Sequence, residues 1–336
     1  MDTLLNKPRA VKIMERYGLD ALVATLPENV VYAGDYGGHG AYDYRGLQLY
    51  VILPRENIER AALIVPTSEI PALACHPGWI QDIRIYGSFY AYQPPEPATP
   101  QGIVQRIQEM RESVPRYSDA LTALKETLAA KGLSEGRLGV DEMNLPPPLW
   151  ERMKSALPKA VIAPAFAMFR EIRMIKTPSE INRIRRAFQV TEQALRDAIA
   201  TIREGIAEFE VYQAFRESVT AQGGNFAFWT SGGGPHSALP GITPSPELKL
   251  KKGDIYRFDC GSTWEHAWSD TGRTAIVGEP SPLQRKIYTA LVHGVEAALE
   301  VTRPGTKASE LFDTIVSVVR EEAVPDYRRH HTGHSI

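Results

Sequence analysis

Two patterns of apolar and polar positions divide the chain. In the first half, short apolar runs of strand length alternate with helical stretches. Ala21–Leu26, Leu47–Leu53, Ala61–Val65, Ile83–Tyr86, Leu138–Asp141 and Val161–Ala163 read as strands, and Ser118–Lys131 and Pro148–Leu157 as helices. This alternation predicts an α/β domain with a mixed sheet. Between Gly87 and Gln101 four prolines remove backbone donors, which predicts a surface loop.

The pattern changes near Arg173, so the sequence predicts two domains, 1–172 and 173–336. Thr177 is placed to cap a helix, with Pro178 at its first position and Glu180 closing a capping box. Ile181, Ile184, Phe188, Leu195, Ala198 and Ile202 then recur at helical spacing up to Gly205. Further helices are expected at Glu208–Ala221, from Ser281 to about Val301, and from about Lys307 to Glu322. Asp254–Ser262 and Ala267–Val277 read as a hairpin, which makes the second half α+β, with helices on an antiparallel sheet.

Composition narrows the class without naming a function. The chain has 336 residues, 43% hydrophobic and 23% charged, with a net charge of −2. No basic block suits a nucleic acid, and the two cysteines, Cys75 and Cys260, form no metal-binding or disulfide pattern. The charged N-terminus carries no apolar run of signal or membrane-span length. A cytoplasmic protein with no membrane partner is expected.

Candidate chemistry concentrates in the second half. With a four-residue connection, Thr263–His266, Ser262 pairs with Ala267 and Asp259 stands directly opposite Asp270. Opposed residues have Cβ atoms about 4.5–5.5 Å apart, where two carboxylates need a proton or a cation. Phe258 and Cys260 around Asp259 suggest a largely buried strand. His330 and His334 are four apart and share a face on either a strand or a helix. Carboxylate and imidazole together suit manganese, cobalt, zinc or iron. His236 sits in the loop SGGGPHSALPG, which lacks the Lys-Ser/Thr of a phosphate-binding loop.

These segments resemble the pita-bread metallohydrolases: creatinase, aminopeptidase P, prolidase and methionine aminopeptidase. DCGSTWEHAWSDTGRT resembles the paired-aspartate motif, HHTGHSI the histidine-ligand motif, and GGGPHS the loop with the substrate-side histidine. KTPSEINRIRRA resembles the start of the catalytic domain, and GLDALVATLPENVVYAGDY the creatinase-type N-terminal domain. The resemblance spans nearly the whole chain, with its motifs in the family's order. It implies a creatinase-type N-terminal α/β domain followed by a pita-bread catalytic domain.

The resemblance further implies two divalent metal ions, manganese first among the candidates, with Asp259, Asp270 and His334 as ligands. His236 and His330 would contact the substrate and move protons. The implied activity is an Xaa-Pro aminopeptidase or dipeptidase acting as a homodimer. Two alternatives stand beside it: metal-free, creatinase-like hydrolysis of a small non-peptide substrate, and a non-catalytic peptide-binding module. The family pattern needs two glutamates after the histidine motif, whereas the sequence stops at Ile336. The expectation is therefore a chain truncated at its C-terminus, with an incomplete metal site, weak metal binding, a folded N-terminal half and a loosened second half.

Overall fold

In a computed structural model of the chain, residues 3–38, 47–89 and 102–335 are described. They form two compact units, Met1–Arg183 and Ile184–Ile336, divided inside the Pro178–Ala200 helix.

The first unit is built on a seven-stranded sheet: β1 (Ala21–Ala24), β2 (Tyr50–Pro54), β3 (Ala62–Pro66), β4 (Asp82–Tyr86), β5 (Arg116–Tyr117), β6 (Arg137–Val140) and β7 (Val161–Pro164). Their order is β5-β4-β3-β2-β1-β6-β7. The β1–β2 and β2–β3 pairs are antiparallel and the others parallel, which gives the expected mixed sheet. Helices cover both faces, which is why β1, β2 and β3 are buried at every position. Side chains alternate between two cores. Leu22, Val51, Leu63 and Ile85 enter one, and Val23, Ile52, Ile64 and Val140 enter the other.

The sequence reading missed β5 and the helices Lys7–Tyr17, Pro27–Gly34, Ile70–Cys75, Ile103–Ser113 and Phe166–Arg173. Lys7–Tyr17 buries only Ala10, Ile13 and Met14 among many charges, so its apolar stripe is narrow. The proline-rich loop expected at Gly87–Gln101 lies outside the described residues from position 90 on.

Behind β6, Asp141 is fully buried and accepts hydrogen bonds from Asn29 Nδ2 (2.7 Å) and Leu26 N (3.1 Å) through one oxygen. Its other oxygen, Oδ1, has no partner. Burial pushes the carboxyl above its ordinary range, against the downward pull of Asn29 and Leu26. The folded state therefore binds this proton more tightly than the unfolded chain. The associated stability is complete below the unfolded value, near 4, and disappears as pH rises through the folded value. Asp141→Asn keeps an acceptor for both donors and removes the buried charge. The difference in unfolding midpoint, variant minus wild type, is expected to grow with pH across that window. A thermal unfolding series from pH 4 to 8 measures it, and a pH-independent difference would contradict the assignment.

The second unit contains β8 (Asn225–Trp229), β9 (Gly232–Gly233), β10 (Ile255–Trp264), β11 (Ala267–Trp268) and β12 (Thr271–Ile276). β10 is central: β11 and β12 lie along one edge and β8 and β9 along the other, all antiparallel. Among the described residues β12 pairs with β10 alone. One face packs Tyr256, Phe258 and Cys260 against Val190, Ala194 and Leu195 of the Pro178–Ala200 helix and Val211, Phe215 and Val219 of the Glu208–Ala221 helix.

Both expected capping boxes form. Thr177 N donates to Glu180 Oε2 (2.8 Å) while Thr177 Oγ1 accepts from Glu180 N (3.2 Å), and Ser281 and Gln284 repeat the arrangement. The buried stripe of the Pro178–Ala200 helix differs from the one expected. It consists of Ala187, Val190, Thr191, Ala194, Leu195 and Ala198, while Ile184 and Phe188 are half-buried and Ile181 is exposed. Small side chains let the helix lie close to the sheet, and the larger ones flank the contact. The Pro282–Val301 helix packs on the Ala308–Glu322 helix, with Gly294 against Ile315 and Val319. Ala290, Gly294 and Ala298 are buried, whereas Leu283, Tyr288, Val295 and Leu299 are exposed.

Candidate active site

The β10–β11 hairpin turns in two residues rather than four. Glu265 and His266 both have positive φ (45° and 65°), and Trp264 pairs with Ala267. Two left-handed residues match the strand twist and close the tightest hairpin. The ladder then sets Asp259 opposite Gly272 and Cys260 opposite Thr271. Asp259 is therefore not directly opposite Asp270, which corrects the expected register. Asp270 lies two positions before Gly272, in the break between β11 and β12. The charges of both aspartates act on the Cys260 thiol, whose affinity for its proton is raised first by burial and then by them.

Asp259 is also less buried than its neighbours suggested. Phe258 and Cys260 point into the core, and alternation sends Asp259 to the other face, where its side chain is 47% exposed. Its Oδ2 lies 3.8 Å from Arg257 Nη1.

A hydroxyl cluster holds the segment before Asp270. Thr191 Oγ1 is 2.7 Å from both Ser262 Oγ and Ser269 Oγ, and all three residues are fully buried. At Gly261 an added Cβ would sit 2.0 Å from Ser269 O, so only glycine admits this approach. Asp270 emerges from the clamp and meets His334, whose Nε2 lies 3.0 Å from Asp270 Oδ2. His334 comes from neither a strand nor a helix, and neither does His330, contrary to the expected face-sharing on a regular element. His330 is exposed, with its ring 4.2 Å from that of His331.

His236 lies on the Gly234–Ala238 turn, with its Nδ1 2.9 Å from Glu208 Oε2. Glu208 is fully buried, and it also accepts from Gly233 N (3.0 Å) and Ser245 N (2.8 Å). Nothing in the residues around Glu208 marks this part, because a glutamate in the first turn of a helix is usually an exposed partner of the helix dipole.

The residues gather in two places. Asp270 and His334 meet directly, with Asp259 on the adjacent strand, and His236 is bound to Glu208. Asp270 Oδ2 and His334 Nε2 form an ion pair as the structure stands, and a carboxylate and an imidazole brought together are the donor types that would hold a divalent ion. Among the described residues, however, no group of three histidine, cysteine, aspartate or glutamate side chains is arranged to hold a metal. The described side chains thus fit part of a metal site and not a whole one.

The Creatinase/Prolidase N-terminal domain family matches residues 8–175, and metallopeptidase family M24 matches residues 182–336. The chain is 33% identical over 171 residues to an Xaa-Pro dipeptidase of Pyrococcus furiosus, covering 50% of this chain and 49% of that protein. It is 32% identical over 171 residues to the Xaa-Pro dipeptidase of Pyrococcus horikoshii, covering 50% and 48%. The chain thus spans about half the length of the curated relatives it matches.

In three dimensions it resembles a prolidase from Pyrococcus horikoshii (TM-score 0.67, 23% identity, 94% of this chain and 77% of that one). It also resembles an Xaa-Pro dipeptidase from Bacillus anthracis (TM-score 0.72, 20% identity, 98% and 80%). At these identities the likeness establishes the fold, a creatinase-type N-terminal domain followed by a pita-bread domain. With that fold, and with its first half matched by the family throughout, the chain belongs to the creatinase/prolidase family, joined in its second half to metallopeptidase family M24.

Proposed function

We propose that the protein is a metal-dependent peptidase acting on Xaa-Pro bonds, as an aminopeptidase or dipeptidase. The observation that carries this reading is the meeting of Asp270 with His334, two donors 64 positions apart in sequence brought within 3.0 Å. Membership of a metallopeptidase family and relatives named Xaa-Pro dipeptidases support it. Asp259, Asp270 and His334 are the proposed ligands, and His236 and His330 the proposed substrate-side residues. Divalent ions supply Lewis acidity for amide hydrolysis. Manganese is the proposed metal, since oxygen-rich donor sets with imidazole suit it. A cytoplasmic homodimer is the proposed working form. Among the described residues no helix is long and apolar enough to cross a membrane.

The test is Mn²⁺ titration of the chain, followed by comparison of Xaa-Pro dipeptides with their Xaa-Ala counterparts. Weak Mn²⁺ binding is expected, with whatever cleavage occurs falling on Xaa-Pro in preference to Xaa-Ala. Turnover of a small non-peptide amide without metal would favour the creatinase-like alternative, and peptide binding without cleavage in the presence of bound Mn²⁺ would favour a binding module. A second variant separates the roles of the histidines. His236→Ala should retain Mn²⁺ affinity while turnover falls by about 10²–10⁴-fold, the usual share of a general acid or base. Steady-state kinetics with metal analysis reads both, and loss of metal would show that His236 is a ligand instead.

A further inference from the structure

We propose that Glu208 is the positioning residue of His236. It holds the imidazole as the Nδ1–H tautomer and leaves Nε2 as the nitrogen available to a substrate. The inference rests on the reading of His236 as a substrate-side residue.

Glu208 opens the Glu208–Ala221 helix and its side chain is fully buried. A buried carboxylate is costly unless its oxygens are filled. Here they are: Oε1 accepts from Gly233 N, and Oε2 from Ser245 N and His236 Nδ1. The position at a helix N-terminus adds favourable dipole charge. The backbone of Glu208 is also fixed, since its N donates to Leu248 O (3.0 Å) and its carbonyl accepts from the Tyr256 hydroxyl (3.3 Å).

Gly233 and Ser245 bracket His236 in sequence, so one anion gathers the N–H groups of the loop on either side of the imidazole. Arg257 collects the opposite poles. Its Nη2 donates to Thr230 O (2.7 Å) and its Nε to Ser237 O (2.8 Å). The loop itself is shaped for this. Gly234 has φ +52°, and a Cβ on Gly232 would sit 2.6 Å from His236 O. The turn that carries His236 is therefore pinned between a buried anion and a cation.

The tautomer follows from donor and acceptor counting. An ionised carboxylate can only accept, so the nitrogen facing it must carry the proton, and the remaining nitrogen then carries the lone pair. No amide can replace Glu208 without loss. If glutamine keeps its oxygen toward Gly233, its NH₂ meets Ser245 N–H and donates to His236 Nδ1, which moves the ring proton to Nε2. If it turns the other way, its NH₂ meets Gly233 N–H.

The test is the nitrogen NMR spectrum of ¹⁵N-histidine-labelled full chain above pH 8, with the His236 signals assigned by their loss in His236→Gln. Wild type should show Nδ1 protonated and Nε2 bare. Glu208→Gln should move the ring toward the Nε2–H form wherever its NH₂ faces His236, and reduce kcat on an Xaa-Pro dipeptide with Mn²⁺ by roughly 10–100-fold with little change in KM, the range for loss of the orienting partner of a metal-bound imidazole. A wild-type Nε2–H tautomer overturns the inference. The wild-type spectrum decides the matter even if the variant does not fold. Undiminished turnover in His236→Ala would instead sink the reading of His236 at the substrate, a result distinct from that spectral failure.

Discussion

Asp270→Ala is expected to remove Mn²⁺ binding and any associated peptidase activity together. Asp270 Oδ2 is the oxygen that meets His334, and the Thr191–Ser262–Ser269 hydroxyl cluster fixes the chain immediately before it. Alanine leaves His334 without its neighbouring donor and leaves Asp259 as a single carboxylate with no need of a cation. Orienting partners of metal ligands already cost about 10–100-fold in affinity when lost, so a direct ligand should cost more than about 10²-fold. Stability should change by less than about 1 kcal/mol, because the Asp270–His334 pair is partly exposed. Calorimetric Mn²⁺ titration beside a thermal melt separates the two effects. An unchanged Mn²⁺ affinity would show that the ion, if bound, sits elsewhere.

How much of this site could be read from the sequence depends on the range of the interaction. The capping boxes at Thr177 and Ser281 are written in four consecutive residues each, and both formed. All strands of the first unit but β5 were legible, the buried β1, β2 and β3 because a sheet covered on both faces demands unbroken apolar runs. The hairpin that carries Asp259 was legible, but its register was not. Glu265-His266 carries none of the glycine or asparagine that usually marks a two-residue hairpin turn, so a longer connection was the natural reading. The error of two positions moved the partner of Asp259 from Asp270 to Gly272.

The stripe of the Pro178–Ala200 helix was misread for a different reason. The apolar periodicity found the buried Leu195 and Ala198 but took in Ile181, Ile184 and Phe188 and passed over Ala187, Val190, Thr191 and Ala194. Glu208 was invisible because its partners include two backbone N–H groups from a loop far along the chain. The hydroxyl cluster was equally so, since its three members lie on a helix and two strand ends joined only by folding.

That alternation between core and site along β10 sets up the largest expected change in stability. Phe258 is 1% exposed, stacked on Tyr256 at 4.7 Å and edge-on to Trp229 at 5.8 Å and 90°. Phe258→Ala removes a whole ring from the centre of the second unit's core, where Val190, Leu195, Phe215 and Val219 close in from two helices. Two penalties add: the lost transfer free energy of the ring and the cavity left where neighbours relax only in part. Together they are expected to cost about 3–5 kcal/mol. The loss should fall on the second unit. Trp229, Trp264 and Trp268 report on that unit, and Trp79 and Trp150 on the first. Urea denaturation followed by tryptophan fluorescence in single-tryptophan backgrounds should therefore show the second unit's midpoint moving down while the first unit's stays put. Asp259, adjacent in sequence but on the opposite face, loses no contact directly, yet the strand that presents it loses its anchor, so Mn²⁺ affinity should weaken before the unit unfolds. A cost below about 1 kcal/mol would show that the aromatic cluster closes over the vacancy, and an equal shift in both units would show that they unfold as one.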